Sequence, residues 1–392
     1  MQTFDVIVIG AGAAGMMCAI EAGKRGRRVL VVDHARAAGE KIRISGGGRC
    51  NFTNLRTGPE AFLSQNPRFC RSALARYTPA DFIALLARHN IAWHEKTLGQ
   101  LFCDGSARQV VDLLLQEMRS ANVELRLGQA LADIARDADG FTLQGAGGVL
   151  RCRSLVVATG GKSIPKMGAS GFAYEVAARF GAPVTQTRPA LVPLTLEPGH
   201  LSRLAPLAGV SAPVRVRCGK TAFDEALLIT HRGLSGPAIL QISSYWREGE
   251  AVEIDLAPGV DLFETLRRAR AENGRQSVSA CLGGVLPKRL AQMIAENEQA
   301  TSSLAETADA VLRRVAVAVN AWRIKPVGSE GYRTAEVTLG GIDTRALDQK
   351  TLAVKAVPGL HFIGEAVDVT GWLGGYNFQW AWASGWCAGQ AV

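Results

Sequence analysis

Val6-Ile7-Val8-Ile9-Gly10-Ala11-Gly12-Ala13-Ala14-Gly15 carries an apolar strand straight into a glycine fingerprint, and the next apolar run, Val29-Leu30-Val31-Val32, ends on Asp33. Each glycine of a G-x-G-x-x-G turn has its own task. Gly10 permits the tight turn, Gly12 admits a pyrophosphate to the backbone, and Gly15 lets the following helix lie close to the strand. The small-residue stretch from Ala13 to Gly26 reads as that helix. Asp33 follows by about 20 residues, where a carboxylate accepts from a ribose hydroxyl, and an acid there argues against a 2′-phosphate. An ordinary glycine turn in a parallel sheet is the competing reading, but strand, helix and acid together predict a dinucleotide site.

At 392 residues the chain exceeds one ordinary core, so more than one domain is expected. Hydrophobic residues make up 47% of it, which excludes a disordered chain. No run of 18 apolar residues occurs, and the first apolar segment is already the nucleotide strand, so a cytoplasmic protein without a membrane partner is expected. The eight cysteines are scattered without a C-x-x-C, the pattern of reduced thiols, and the six histidines are equally dispersed, so no metal site is expected. Lys plus Arg exceeds Asp plus Glu by 44 to 35, and the net +9 favours an anionic partner.

Two further strand-to-glycine junctions follow: Ser154 to Gly161, through Thr159 and Gly160, and Leu360 to Asp368, through Gly364. With Gly10 they stand at the carboxyl ends of sheet strands, where open α/β sheets bind ligands. Gly145 to Gly148 lies between Phe141–Leu143 and Leu150–Cys152 and reads as a hairpin turn, since no helix follows it. One cofactor domain whose chain leaves and returns is therefore predicted. The excursion, about Pro189 to Thr334, opens in period two, with Val214, Val216 and Cys218 on one face and Arg215 and Arg217 on the other, then Ala226 to Thr230 and Val252 to Leu256. These short strands suggest a small antiparallel β-barrel. From Asp261 to Val319 the period turns helical, with Ser303 and Glu306 forming a capping box ahead of Leu304, Ala308, Val311, Leu312 and Val315.

Lys41 to Asn54 reads K-I-R-I-S-G-G-G-R-C-N-F-T-N. Core packing does not call for three consecutive glycines before Arg-Cys-Asn. Gly46, Gly47 and Gly48 let backbone N–H groups face a flat ring, with Arg49, Asn51 and Asn54 as polar anchors. This stretch reads as the second part of a flavin cradle, against the alternative of a flexible surface loop.

The chain resembles the BaiN/YhiN-like FAD-dependent oxidoreductase family through S-G-G-G-R-C-N-F-T-N (45–54), P-A-L-V-P-L (189–194), T-H-R-G-L-S-G-P-A-I-L (230–240), V-T-L-G-G-I (337–342) and G-E-A-V-D-V-T-G-W-L-G-G-Y-N-F-Q-W-A-W-A-S-G (364–385). The resemblance implies an α/β fold: a glutathione-reductase-type, Rossmann-like FAD-binding domain (1–188 and 335–392) interrupted by a β-barrel (189–260 and 319–334) and an α-helical insert (261–318). It implies Gly10, Ala11, Gly12, Ala14 and Gly15 at the pyrophosphate and Asp33 at the adenosine ribose, where many relatives carry Glu. Around the rest it places Lys41, Gly46 to Asn51 (with Arg49 and Cys50), Thr159, Gly160, Gly364, Gly375, Tyr376 and Asn377. Asp368 is expected at the ribityl chain, unless it caps a turn.

Gly374 and Gly375 precede a helix-like run, Phe378 to Trp386, whose N-terminus would stabilise negative charge on the pyrimidine edge of a reduced flavin. Trp380, Trp382 and Trp386 are expected to pack that helix. Cys50 is a candidate proton donor to a polarised C=C bond that receives a hydride from flavin N5, or else a buried small residue. His231 is the second candidate, or else a loop histidine bonded to backbone. With one nucleotide fingerprint there is no dedicated nicotinamide domain, so NAD(P)H visiting the flavin, another protein or the substrate supplies the electrons. The family points to two acceptors, a uridine of large-subunit ribosomal RNA and a steroid-like enone. Arg267, Arg268, Arg270, Arg313 and Arg314 tip the reading toward RNA, although arginine runs are usually solvated helix faces. A non-enzymatic RNA-binding factor with structural FAD is the remaining alternative; oligomeric state is not legible.

Overall fold

In the computed structural model, which describes residues 1–145 and 147–392, the chain divides into two units, Met1–Arg188 with Val337–Val392 and Pro189–Glu336. The first is built on a parallel sheet ordered Glu124–Arg126, Val29–Val32, Gln2–Ile9, Gly148–Val157, with Leu360–Phe362 pairing the last half of the fourth strand. Val6, Ile7, Val8 and Ile9 are all buried, as strands covered on both faces must be. The first half of Gly148–Val157 pairs antiparallel with Gly140–Gly145, Gly148 opposite Gly145. This is the expected hairpin, although Ala146 at its turn lies outside the described residues.

The nucleotide helix, Ala13–Lys24, packs against the C-terminal helix, Tyr376–Gly389, through small residues. A β-carbon on Gly385 would overlap Ala14 O, and one on Gly389 would stand 2.6 Å from Cys18 O, so the two backbones nearly touch. The tryptophans of the C-terminal helix do pack it: Trp380 and Trp382 are fully buried, and Trp382 stacks on Phe82 at 4.4 Å between ring centroids. Their indole N–H groups also bind the cradle, Trp380 donating to Gly364 O and Trp382 to Phe52 O.

In the second unit an antiparallel sheet runs Trp322–Ile324, Val252–Asp255, Ser211–Cys218, Thr221–Ile229, Gly233–Ser235, Leu194–Thr195, Gly328–Ser329. Val214, Val216 and Cys218 face inward and Arg215 and Arg217 outward, as the alternation predicts. The sheet is antiparallel as expected, but the expected β-barrel is not closed: among the described residues no pairing joins its two ends. Trp322–Ile324 instead runs through Lys325-Pro326-Val327 directly into Gly328–Ser329, and Pro326 has no N–H to give a ladder. The helices Leu262–Asn273, Val278–Leu282, Lys288–Asn297 and Asp309–Asn320 complete the unit. The capping box of Ser303 and Glu306 is present but closes a single 3-10 turn, Leu304–Glu306, and the following helix begins at Asp309. Among the described residues no helix is long and apolar enough to cross a membrane.

Candidate cofactor site

The three glycine junctions meet in the first unit, because Ile9 pairs with Val157 and Val157 with Phe362 at the carboxyl edge of the parallel sheet. Sterics separate the fingerprint glycines. Gly10 has φ +111°, and a β-carbon on it would lie 2.5 Å from Ala158 O; one on Gly15 would overlap Gly10 O. Gly12 differs: nothing lies within 4 Å of its absent side chain, so its backbone stands open to a ligand. Asp33 is tied to the same turn, its carboxylate accepting from Ala11 N at 2.7 Å and from Ala35 N at 2.8 Å.

Lys41 projects from the helix Glu40–Gly48 into a cluster that sequence reading missed. Its Nζ donates to Glu365 Oε2 and Ser163 Oγ, both at 2.7 Å; Ser163 Oγ donates in turn to Glu365 Oε1 at 2.7 Å, and Thr338 N donates to the same oxygen at 3.0 Å. Glu365 therefore clamps four chain segments. The signal for Glu365 in the sequence is an acid directly after Gly364, three residues before Asp368. Asp368 is almost fully buried and accepts from Gln65 N at 2.9 Å, and burial pushes its carboxyl above the ordinary value. That geometry is a turn-binding carboxylate and not one open to a ribityl chain.

The Glu40–Gly48 helix breaks at Ser45, whose ψ is 147°, and Gly46, Gly47 and Gly48 follow at φ +57°, +66° and +84°. Three successive left-handed residues are a conformation that glycine alone adopts without strain. Gly47 and Gly48 face open space, while Gly46 is pinned by Phe102, 2.8 Å from where its β-carbon would be. Arg49 is exposed beside them. Cys50, at φ +54°, turns the other way and is fully buried next to Ser45 and Cys103, and burial pushes its thiol well above the ordinary value. A group meant to touch a bound ring has to be accessible when the ring is absent, and Cys50 is sealed in the core.

The N-terminus of the C-terminal helix is drawn against the strand Asn51–Asn54. A β-carbon on Gly375 would overlap Thr53 O, and Asn54 Nδ2 donates to Gly374 O at 2.9 Å. Asn51, oriented to satisfy both ends of its amide, donates to Leu101 O and accepts from Gly375 N. Asn377 turns inward, donating to Gly371 O at 2.9 Å and accepting from Gly371 N at 2.8 Å, and Tyr376 packs on Phe62 and Trp372. Of this turn, the backbone is what remains for a cofactor. Thr159, at the end of the middle strand, holds a buried Oγ1 without a hydrogen-bond partner among the described residues, as a residue awaiting a ligand would. Open Gly12, the side-chain-free surface of Gly47 and Gly48, the orphan hydroxyl and the Lys41 ammonium fit a dinucleotide with a flat ring.

The chain matches the HI0933-like protein Rossmann domain family over residues 4–391. It belongs to that family. Over 399 residues it is 52% identical to the ribosomal RNA dihydrouridine synthase of Escherichia coli, covering 100% of this chain and 98% of that protein. It is 27% identical over 403 residues to the 3-dehydro-bile acid delta(4,6)-reductase of Clostridium scindens, covering 98% of each. The solved structure of 3-ketosteroid-delta4-(5alpha)-dehydrogenase from Rhodococcus jostii RHA1 has a TM-score of 0.52 at 14% identity, covering 99% of this chain and 96% of that one, and shares the fold. The chain is an oxidoreductase of the flavoprotein type.

Two further expectations fall in the second unit. His231 is exposed at the tip between Thr221–Ile229 and Gly233–Ser235, where Thr230 Oγ1 accepts from Arg232 N and Gly233 N. The arginines singled out for RNA are largely engaged at home: Arg267 with Glu264, Arg270 with Asp309, Arg314 with Glu298, and Arg313 over the Phe263 ring at 4.0 Å. They hold helices together more than they offer free charge.

Proposed function

We propose that the chain binds FAD and reduces the C=C bond of a uridine in large-subunit ribosomal RNA, forming dihydrouridine. The 52% identity over the full chain to a ribosomal RNA dihydrouridine synthase carries this reading. Bound FAD would supply the hydride for the conjugated double bond. The residues of this chain do the rest. Gly12 would admit the pyrophosphate to its backbone and Gly46–Gly48 the ring to theirs, Asp33 would receive the adenosine ribose, and the Lys41–Glu365–Ser163 clamp and the Thr159 hydroxyl would hold the middle of the dinucleotide. The Gly375 end of the C-terminal helix would set its positive dipole against the charge that a bound flavin gains on reduction. For the proton that completes the reduction, the sequence offers two donors, Cys50, which is buried in the first unit, and His231, which is exposed on the second. NAD(P)H is the proposed reductant, visiting from solvent because the chain has a single nucleotide fingerprint.

The test is nucleoside analysis of ribosomal RNA from cells lacking the protein, followed by reaction of that RNA with the purified, FAD-loaded chain and NAD(P)H. Dihydrouridine should be missing from the RNA and restored in vitro. Binding of the RNA should weaken steeply with salt, since the net charge is +9. An unchanged nucleoside profile would refute the substrate. A second reading, reduction of a small steroid-like enone, is favoured by the full-length similarity to the bile-acid reductase, and turnover of an enone without any of RNA would establish it.

A further inference from the structure

Five carboxamides surround the turn that starts the C-terminal helix, and four are spent on the protein itself. Asn51 is held by Leu101 O and Gly375 N; Asn54 donates to Leu98 O and Gly374 O and accepts from Arg56 N. Asn377 closes on Gly371 and Trp372, and buried Gln379 accepts from Thr53 Oγ1 and donates to Tyr77 O. Gln100 is different. It begins the strand Gln100–Cys103, is only half-buried, and lies flat on Gly374, whose absent β-carbon would stand 2.8 Å from its Cγ and Cδ and 2.9 Å from its Nε2. Its one side-chain hydrogen bond among the described residues is with Asn51 at 3.5 Å, the outer limit of such a bond, and with Asn51 turned to satisfy Leu101 and Gly375 that bond requires Gln100 to turn as well.

Gln100 is thus the one member of the group with both a donor and an acceptor to offer, beside the helix end assigned above to the pyrimidine edge of the flavin. Ordering a glutamine costs side-chain entropy, which a partner must offset. A carboxamide complements a ring edge where an N–H adjoins a carbonyl, because it accepts from the first and donates to the second. We propose that Gln100 reads an imide edge, the N–H between two carbonyls that uracil and the pyrimidine ring of a flavin share. The proposal rests on the functional reading above and adds to it the residue that recognises the ring.

The test uses the full chain carrying Gln100→Leu, which removes both hydrogen bonds, and Gln100→Glu, which keeps the shape and the acceptor but loses the donor. Thermal melting of the FAD-free proteins checks folding. Losing a bond to a buried polar partner corresponds to roughly a tenfold to hundredfold change. If the flavin imide is the partner, FAD affinity falls by that factor and the visible spectrum of bound flavin shifts. If uracil is the partner, FAD affinity, spectrum and reduction by dithionite stay as in the wild type, while kcat/KM on unmodified ribosomal RNA falls by that factor. Unchanged FAD affinity, spectrum and turnover in both variants overturn the proposal. A wild-type chain that binds FAD but leaves RNA unreduced overturns the substrate assignment instead, and a shifted spectrum in the leucine variant still upholds Gln100.

Discussion

Replacing Gly12 and Gly15 separately by alanine should split cofactor binding from folding. At Gly12 the backbone is extended, with φ −87° and ψ −172°, and nothing lies within 4 Å of the new methyl. Alanine there restricts the unfolded chain, a gain of about 0.4–1 kcal/mol, while a helix N-cap loses about 0.5 kcal/mol on going from glycine to alanine. These nearly cancel, so the FAD-free protein should melt within about 2 °C of the wild type. The methyl nevertheless stands where a pyrophosphate must reach the backbone. Losing even one or two charge-assisted N–H bonds costs about 3 kcal/mol, on the order of a hundredfold in affinity. Gly15→Ala reverses the pattern, since its methyl overlaps Gly10 O and neither backbone can yield without lifting the helix from the strand. That overpacking costs about 3 kcal/mol, a loss of roughly 6–12 °C for a unit of this size. Fluorescence titration with FAD and melting curves of the FAD-free variants measure both quantities. Wild-type FAD affinity in Gly12→Ala, or a normal melting curve in Gly15→Ala, would refute the division of labour.

Glu365→Gln places an amide N–H₂ against the Lys41 ammonium and should destabilise the FAD-free protein by about 1–2 kcal/mol, the partial exposure of the pair discounting its full strength. Urea denaturation should find the Lys41→Met and Glu365→Gln effects strongly non-additive; simple additivity would mean the clamp has no energetic reality. Asp368→Asn tests the carboxylate with the raised pKa. Its native form holds a proton at pH values where the unfolded form has lost it, so wild-type stability falls as pH rises from the ordinary carboxylate value through the raised native one. The variant lacks that loss and keeps an oxygen for Gln65 N, so it should be at least as stable as the wild type at pH 7 with FAD affinity unchanged. A drop in FAD affinity would return Asp368 to the ribityl chain.

The dinucleotide turn was legible in the sequence because its requirements are local. Three glycines, a β-branched strand and an acid act within one strand-turn-helix unit, and steric exclusion at Gly10 and Gly15 involves backbone atoms whose positions follow from that unit alone. The alternation of Val214 to Cys218 was legible for the same reason. The closure of the barrel was not, because whether a sheet closes depends on pairing between its first and last strands, which is not a property of neighbouring residues.

What the sequence alone determined, then, is the kind of ligand and the backbone that cradles it, because glycine conformations and strand periodicity are properties of neighbouring residues. Tertiary structure decided which side chains face that ligand. Sheet register and helix packing turned the Cys50 thiol and the Asp368 carboxylate into the core, brought Glu365 to a lysine 324 positions away, and left Gln100 as the carboxamide without a fixed partner. The direction of a side chain follows from what packs on either face of its strand, and for Glu365 and Gln100 those partners come from distant parts of the chain.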